Sequence, residues 1–346
     1  MSTTWPEVLS TLVARQDLDA AAATWAMEEI LSGNATPAQI AGFAVALRAK
    51  GETLAEVQGL VDAMYRHALP FTVEGRVVDI VGTGGDLAKT VNISTMSAVV
   101  IAGAGVPVVK HGNRAASSAS GAADVLEELG VRLDVPPTRL GDVLDAVGIT
   151  FCFAPVFHAS YRFTAVPRRE LGIPTTFNFL GPLVNPAKPA ASAVGVADAR
   201  MGPIMAGVLG ARGADAFVFR GEDGLDEITT STTSRVWIAE GATGTVVEDT
   251  IDPRAFGFDY APVSELTGGD PAFNAKVFER VLGGEQSAVR TAVLLNAGAA
   301  IAAHEAAAGD LESRLRSGIE RARQSIDTGA ATKVLENWAR TTQTLV

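Results

Sequence analysis

The stretch Val77-Val78-Asp79-Ile80-Val81-Gly82-Thr83-Gly84-Gly85-Asp86 runs from a short apolar segment into a cluster of glycines, and a helical pattern follows from Met96 to Ala104. Glycines at 82, 84 and 85 let the backbone turn through positive φ and bring bare N–H groups up to an anion that a Cβ would obstruct. Strand, glycine turn and helix in that order form the repeating unit of an α/β sheet, and the turn reads as a phosphate cradle. Asp86 does not itself attract an anion. A carboxylate beside a phosphate implies a cation or a ribose hydroxyl between them, so the expected ligand is a sugar phosphate with metal. The dinucleotide fingerprint fails, because Leu87 stands where G-x-G-x-x-G requires its last glycine, and there is no Walker A match.

Outward from this turn, further short β-type runs alternate with Ala-rich helical stretches: Val106–Val109, Ile149–Phe153, Ala193–Val196 and Ala216–Phe219. The alternation predicts a mainly parallel sheet with helices on both faces. Before Pro70 the spacing is helical throughout, over Trp5–Ala14, Ala20–Ser32, Thr36–Lys50 and Leu54–Ala68, with start signals in Thr36-Pro37 and Thr53-x-x-Glu56. From Pro271 onward it is helical again, through Val277–Leu282, Ser287–His304, Leu311–Asp327 and Ala331–Thr344. The fold class is therefore α/β, with a small all-helical part, a larger mainly parallel α/β part and C-terminal helices.

Ligands of open α/β sheets gather at the carboxyl ends of the strands. Two more loops there carry unusual chemistry. After Val106–Val109 comes Lys110-His111-Gly112-Asn113-Arg114-Ala115-Ala116-Ser117-Ser118-Ala119-Ser120-Gly121, with cations, small residues and serines ahead of a helix predicted over Ala122–Leu129. After Ala216–Phe219 comes Gly221-Glu222-Asp223-Gly224-Leu225-Asp226-Glu227, where four carboxylates fall within six residues. Hard oxygen ligands of this kind suit Mg²⁺ shared with a diphosphate. Polar side chains at Thr90, Asn92, Ser94 and Thr95 stand near a helix N-terminus, where the macrodipole favours a phosphate. Each loop alone has a plain reading as a turn, a helix cap or a solvated acidic surface. Together, at successive strand ends, they point to one site.

Charge and composition narrow the function classes. The 346-residue chain carries 28 Lys and Arg against 39 Asp and Glu, a net charge of −11, and has no basic run, which argues against nucleic acid as a partner. Cys152 lies in the apolar run Ile149–Phe153 and is the only cysteine, so an intrachain disulfide is excluded and a core position is expected. No basic-then-apolar leader opens the sequence and no apolar run approaches the roughly 20 residues of a membrane span, so a soluble cytoplasmic protein without membrane contact is expected.

The residues that carry a family resemblance are Gly82-Thr83-Gly84-Gly85-Asp86, Asn92-Ile93-Ser94-Thr95, Lys110 through Ser118, Arg168-Arg169-Glu170-Leu171-Gly172-Ile173, Phe177 through Pro186, and Asp226-Glu227. In these the sequence resembles the anthranilate phosphoribosyltransferases. The resemblance implies a homodimer whose small helical domain, residues 1–72 completed by helices within 168–190, is paired with an α/β domain, residues 73–346, that binds phosphoribosyl diphosphate. It implies contacts to that diphosphate from Gly82, Gly85, Asp86, Thr90, Asn92, Ile93, Ser94, Thr95 and Ala122, and from Lys110, His111, Gly112, Asn113, Arg114, Ala115, Ala116, Ser117 and Ser118. It further implies Mg²⁺ on Ser94, Asp226 and Glu227, anthranilate on Gly82, Asn113 and Arg168, and catalytic roles for Lys110 and Arg168. Leu87 replaces a glycine usual in the family, and Pro167 is expected to kink a helix beside Arg168. Two rival readings stand beside this one: a pyrimidine nucleoside phosphorylase, to which Asp226 and Glu227 would bring nothing, and a phosphate-binding relative without turnover.

Overall fold

The computed structural model describes residues 3–115 and 119–345. The chain begins with α1 (Trp5–Val13), α2 (Ala20–Leu31), α3 (Pro37–Lys50) and α4 (Leu54–His67). Capping boxes at Thr36/Gln39 and Thr53/Glu56 close the N-termini of α3 and α4, as the start signals predict. β1 (Val78–Gly82), α5 (Ile93–Gly103), β2 (Val108–Gly112), α6 (Ala122–Glu128), α7 (Leu140–Val147) and β3 (Ile149–Phe153) follow. Next come α8 (Ala154–Phe157), α9 (Ala165–Leu171), β4 (Ala191–Gly195), α10 (Met201–Ala211), β5 (Asp215–Gly221), β6 (Ser234–Ala239) and β7 (Val246–Ile251). The chain closes with α11 (Pro271–Leu282), α12 (Ala288–Glu305), α13 (Leu311–Asp327) and α14 (Ala330–Thr344).

Among the described residues the sheet has seven strands in the order β3-β2-β1-β4-β5-β6-β7. The pairings from β3 to β5 are parallel, with Val78 opposite Ala191, Gly82 opposite Gly195 and Gly112 opposite Phe153; β5, β6 and β7 pair antiparallel. The order reverses between β1 and β4, so the turn after β1 lies at a topological switch point, where neighbouring loops splay apart and leave a crevice.

Alternation along the strands separates two cores. Phe217 and Phe219 of β5 enter a cluster with Ile80, Val100 and Ile301, while Ala216 and Val218 enter another with Phe43, Leu60 and Trp237. The second cluster joins α1–α4 to α10, to the opposite sheet face and to Phe177, Phe179, Leu180, Leu183 and Val184. Cys152 is fully buried in the first.

Candidate active site

The three loops converge. Gly82 through Asp86, Lys110 through Ala115, and Asp226 with Glu227 line one cleft of about 370 Å³, together with Thr90, Asn92, Ile93, Ser94, Ala122 and Arg168.

The glycine turn is shaped around Asp226. Gly84 and Gly85 adopt φ of 68° and 90°, and the Gly84 N–H donates to Asp226 Oδ2 at 2.7 Å. A Cβ on Gly82 would stand 2.2 Å from the same oxygen, so no larger residue fits there while Asp226 keeps its place. Asp226 and Glu227 are 8% and 9% exposed. Burial first, and then the charge of Asp86, pushes the Asp226 carboxyl up to about 7; burial and the charges of Asp226 and Asp86 hold Glu227 well above the usual carboxylate range. Asp86 Oδ2 is buried without a hydrogen-bond partner. These acids therefore crowd a region that only a cation makes comfortable. Among the described residues no three His, Cys, Asp or Glu side chains group closely enough to cage a metal alone. That donor set still suits Mg²⁺, which takes one or two carboxylates and completes its shell with water and substrate phosphate.

Lys110 is the buried cation of the cleft, which Lys89, Arg114 and Arg168 also line. It lies on β2, only 1% exposed, and its Nζ donates to the Ile80 carbonyl at 2.7 Å and to Ser94 Oγ at 3.3 Å. Burial lowers its pKa to about 8, against the opposing pull of Asp79 and Glu227. Asp79, buried behind it, accepts from the His111 N–H at 3.2 Å and from Asn185 Nδ2 at 2.9 Å, which fixes the end of β2. Asn92 stands at the N-terminal boundary of α5, and its side chain donates to the Ser120 carbonyl and accepts from Asn274, tying the glycine turn to the serine loop. Exposed Arg114, also in the cleft lining, pairs with Asp124 and Glu127 of α6.

A second cavity, of about 490 Å³, adjoins the cleft and shares Gly82, His111, Asn113, Arg168 and Asn178 with it. Its character is different. Tyr161, Phe177, Pro155, Pro182 and Val184 supply an aromatic and apolar wall, and the Arg168 guanidinium lies 5.5 Å from the Tyr161 ring centre. His111 Nδ1 bonds to the Gly181 carbonyl at 3.2 Å and His158 Nε2 to the Val184 carbonyl at 2.8 Å. Burial, with His158 alongside, lowers His111 to about 3, so the ring is neutral in this wall and bonded to the backbone.

Several expectations are corrected. α5 begins at Ile93 rather than Met96, so Ser94 and Thr95 lie within its first turn; Thr95 is buried and its Oγ1 has no hydrogen-bond partner. Of the four loop acids only Asp226 and Glu227 enter the site, since Glu222 pairs with Arg235 and Asp223 accepts from Thr229 and Ser231. Pro167 kinks nothing: α9 starts at Ala165, so the proline sits in a first turn that needs no N–H, and Arg168 stays in the site. Ala116, Ser117 and Ser118 lie outside the described residues. Asn178 and Lys89 also line the cleft. Lys89 was legible as a cation beside the glycine turn, whereas only the fold brings Asn178 there.

Against known proteins, a family profile described as "Glycosyl transferase family, a/b domain" matches residues 74–332, and one described as "Glycosyl transferase family, helical bundle domain" matches residues 6–68. The anthranilate phosphoribosyltransferase of Nocardioides sp. is 61% identical over 339 residues, covering 98% of this chain and 99% of its own. The chain belongs to the anthranilate phosphoribosyltransferase family. The crystal structure of anthranilate phosphoribosyltransferase from Thermus thermophilus superposes with a TM-score of 0.90 at 38% identity, covering 97% of this chain and 99% of that one. The Saccharomyces cerevisiae anthranilate phosphoribosyltransferase in complex with PRPP and Mg superposes at 0.88 with 26% identity, over 99% and 98%.

Proposed function

We propose that the cleft and its adjoining cavity together transfer the phosphoribosyl group from phosphoribosyl diphosphate to the amine of anthranilate, giving N-(5-phosphoribosyl)anthranilate and pyrophosphate in tryptophan biosynthesis. The observation that carries the assignment is the meeting of two unlike spaces at Gly82, Asn113 and Arg168: a cleft of glycine, lysine and buried carboxylates, and an aromatic cavity with a guanidinium at its mouth.

In this reading the diphosphate and ribose lie against Gly82, Gly85, Asp86, Thr90, Asn92, Ile93, Ser94, Thr95 and the loop from Lys110 through Ser118, with Ala122 small enough to let them approach. Ser94, Asp226 and Glu227 would hold Mg²⁺, which when bound supplies Lewis-acid stabilisation of the leaving diphosphate. Lys110, held beside Ser94, would meet the same developing charge, and its fixed bonds to Ile80 and Ser94 mean that it needs no rearrangement as that charge appears. Arg168 receives the anthranilate carboxylate and so aims the amine at the anomeric carbon. The C–N bond forms as the bond from that carbon to the diphosphate oxygen breaks.

A phosphorolytic site has no diphosphate to chelate and no use for Asp226 and Glu227, and intact Lys110, Arg168, Asp226 and Glu227 disfavour a relative without turnover. The division into residues 1–72 and 73–346 is proposed with the function, since α4 ends at His67 and β1 starts at Val78. So are a homodimer and a cytoplasmic setting. Exposed Val13, Val45 and Val166 on α1, α3 and α9, which pack together, offer an apolar face for a second copy. Among the described residues no helix is long and apolar enough to cross a membrane. Steady release of pyrophosphate from phosphoribosyl diphosphate plus anthranilate, absent when either is omitted, is the expected result; release without anthranilate, or none with both, contradicts the assignment.

A further inference from the structure

A third cavity, of about 470 Å³, lies between α4, the end of α10 and the 181–189 segment. That segment is a shared wall, for Gly181, Pro182 and Val184 line the aromatic cavity while Pro182, Leu183 and Asn185 line this one. Its charge is unbalanced. Arg66, Lys188 and Arg212 face a single carboxylate, Asp62, among the lining residues. Arg66 is already held by Glu28 at 2.6 Å. The other two cations converge on one ring: Lys188 Nζ is 5.0 Å and the Arg212 guanidinium carbon 4.7 Å from the centre of Tyr65. Neither forms an ion pair among the described residues, Asp62 accepts from Gln58 instead, and Arg212 Nε is buried without a partner.

Lys188 adds a second, independent sign. It holds φ of 48°, a left-handed conformation that strains any residue with a Cβ. Strain of this kind tends to persist where a side chain must be presented at one place.

We propose that this cavity is a second binding site, for a small anion whose carboxylate or phosphate meets Lys188 and Arg212 while its body lies against Leu209 and Pro189, and that filling it weakens acceptor binding through the shared wall. The coupling has a physical route. The Leu183 carbonyl accepts from Arg212 Nη1 at 2.6 Å and from the Tyr65 hydroxyl at 3.1 Å. An anion that draws off the guanidinium loosens this carbonyl, and its neighbours Gly181 and Val184 are the acceptors that seat His111 and His158. On the other flank, Asn185 Nδ2 bonds to Asp79 and to the Val109 carbonyl, behind Lys110. Two sites bias one element, which is the requirement for linkage between them.

The coupling rests on the acceptor reading of the aromatic cavity, whereas the site itself does not. Calorimetric titration of the full chain with inorganic phosphate, in the presence of saturating phosphoribosyl diphosphate and Mg²⁺, should still show one equivalent of phosphate bound. In Lys188→Gln, a change at an exposed position, that binding should weaken about tenfold through loss of a charge-assisted contact. Asp62→Asn should tighten it. Phosphate should raise the KM for anthranilate in the wild type and not in Lys188→Gln. Absence of residual phosphate binding, or equal binding in wild type and Lys188→Gln, overturns the site; an unchanged KM overturns the coupling. Should pyrophosphate release from phosphoribosyl diphosphate plus anthranilate fail while Lys188→Gln still lowers phosphate binding, the proposed function fails and the site stands.

Discussion

The cleft and the aromatic cavity share a wall and each leaves a buried polar atom without a partner, but the cleft crowds carboxylates together and the cavity holds neutral rings. In the cavity each histidine has one ring nitrogen on the backbone, His111 on the Gly181 carbonyl and His158 on the Val184 carbonyl, and the neutral His111 ring keeps Nε2 buried without a partner. In the cleft Asp226, Glu227 and Asp86 are pressed together, and Asp86 Oδ2 has no partner. A buried polar group left unsatisfied costs stability, and like charges at close range add to that cost. What the cavity leaves unpaired is a ring nitrogen of a neutral histidine, not a charge. The cleft is complete only when a cation and a polyanion arrive together, and the contrast itself separates the diphosphate side from the acceptor side.

The largest break in that contrast comes from Lys110. Lys110→Met removes the cation that meets leaving-group charge, and single-turnover rates should fall roughly a hundredfold to a thousandfold. A fall confined to substrate binding would make Lys110 a binding residue only.

Next come the acids. Asp226→Asn with Glu227→Gln should shift the Mg²⁺ dependence of the rate upward by about tenfold or more, and an unchanged titration would remove these residues as ligands. Asp226→Asn also has a stability signature. The folded chain holds the Asp226 proton more tightly than the unfolded chain does, with a folded pKa of about 7 against an ordinary value of 3.8. Its favourable contribution is complete below pH 4 and is lost as pH rises through about 7. Without Mg²⁺, Asp226→Asn should therefore melt a few degrees above the wild type at pH 8 and close to it at pH 4; melting scans at both pH values check this.

On the acceptor side, Arg168→Ala should raise the KM for anthranilate roughly tenfold to a hundredfold while the KM for phosphoribosyl diphosphate stays within about twofold. Equal effects on both would dissolve the division between cleft and cavity. The smallest effect is expected at Leu87, 79% exposed at φ of 63°. Leu87→Gly relieves left-handed strain but frees the unfolded chain, a net gain of roughly 0.5 kcal/mol in chemical denaturation; a clear loss would mean that the leucine makes a contact of its own.

Where the sequence was legible, burial was uniform. β1 to β5 are covered on both faces and read as apolar runs. β6 and β7 were not among the strands read from the sequence: in Ser234–Ala239 the polar pair Ser234-Arg235 leaves an apolar run of only four residues, and the edge strand Val246–Ile251 exposes Glu248, Asp249 and Thr250 as an acidic loop would. The glycine turn, Lys110 and the Asp226-Glu227 pair were visible because they fall together at the ends of strands of one sheet, where ligands gather, and not because any one of them is unusual alone. The start of α5 was not legible, since the polar residues Asn92, Ser94 and Thr95 mask a helix that begins at Ile93 rather than Met96. Glu222 and Asp223 share composition with Asp226 and Glu227 but not burial, and burial is set by the fold around them.

The most direct test of the central claim is a crystal of the full chain grown with phosphoribosyl diphosphate and Mn²⁺ in place of Mg²⁺, examined for anomalous scattering. The account predicts a manganese peak in the cleft, bonded to the Asp226-Glu227 turn and to diphosphate oxygens, with Lys110 on the same diphosphate. A diphosphate seated away from these three loops, or manganese bound at none of them, would contradict it.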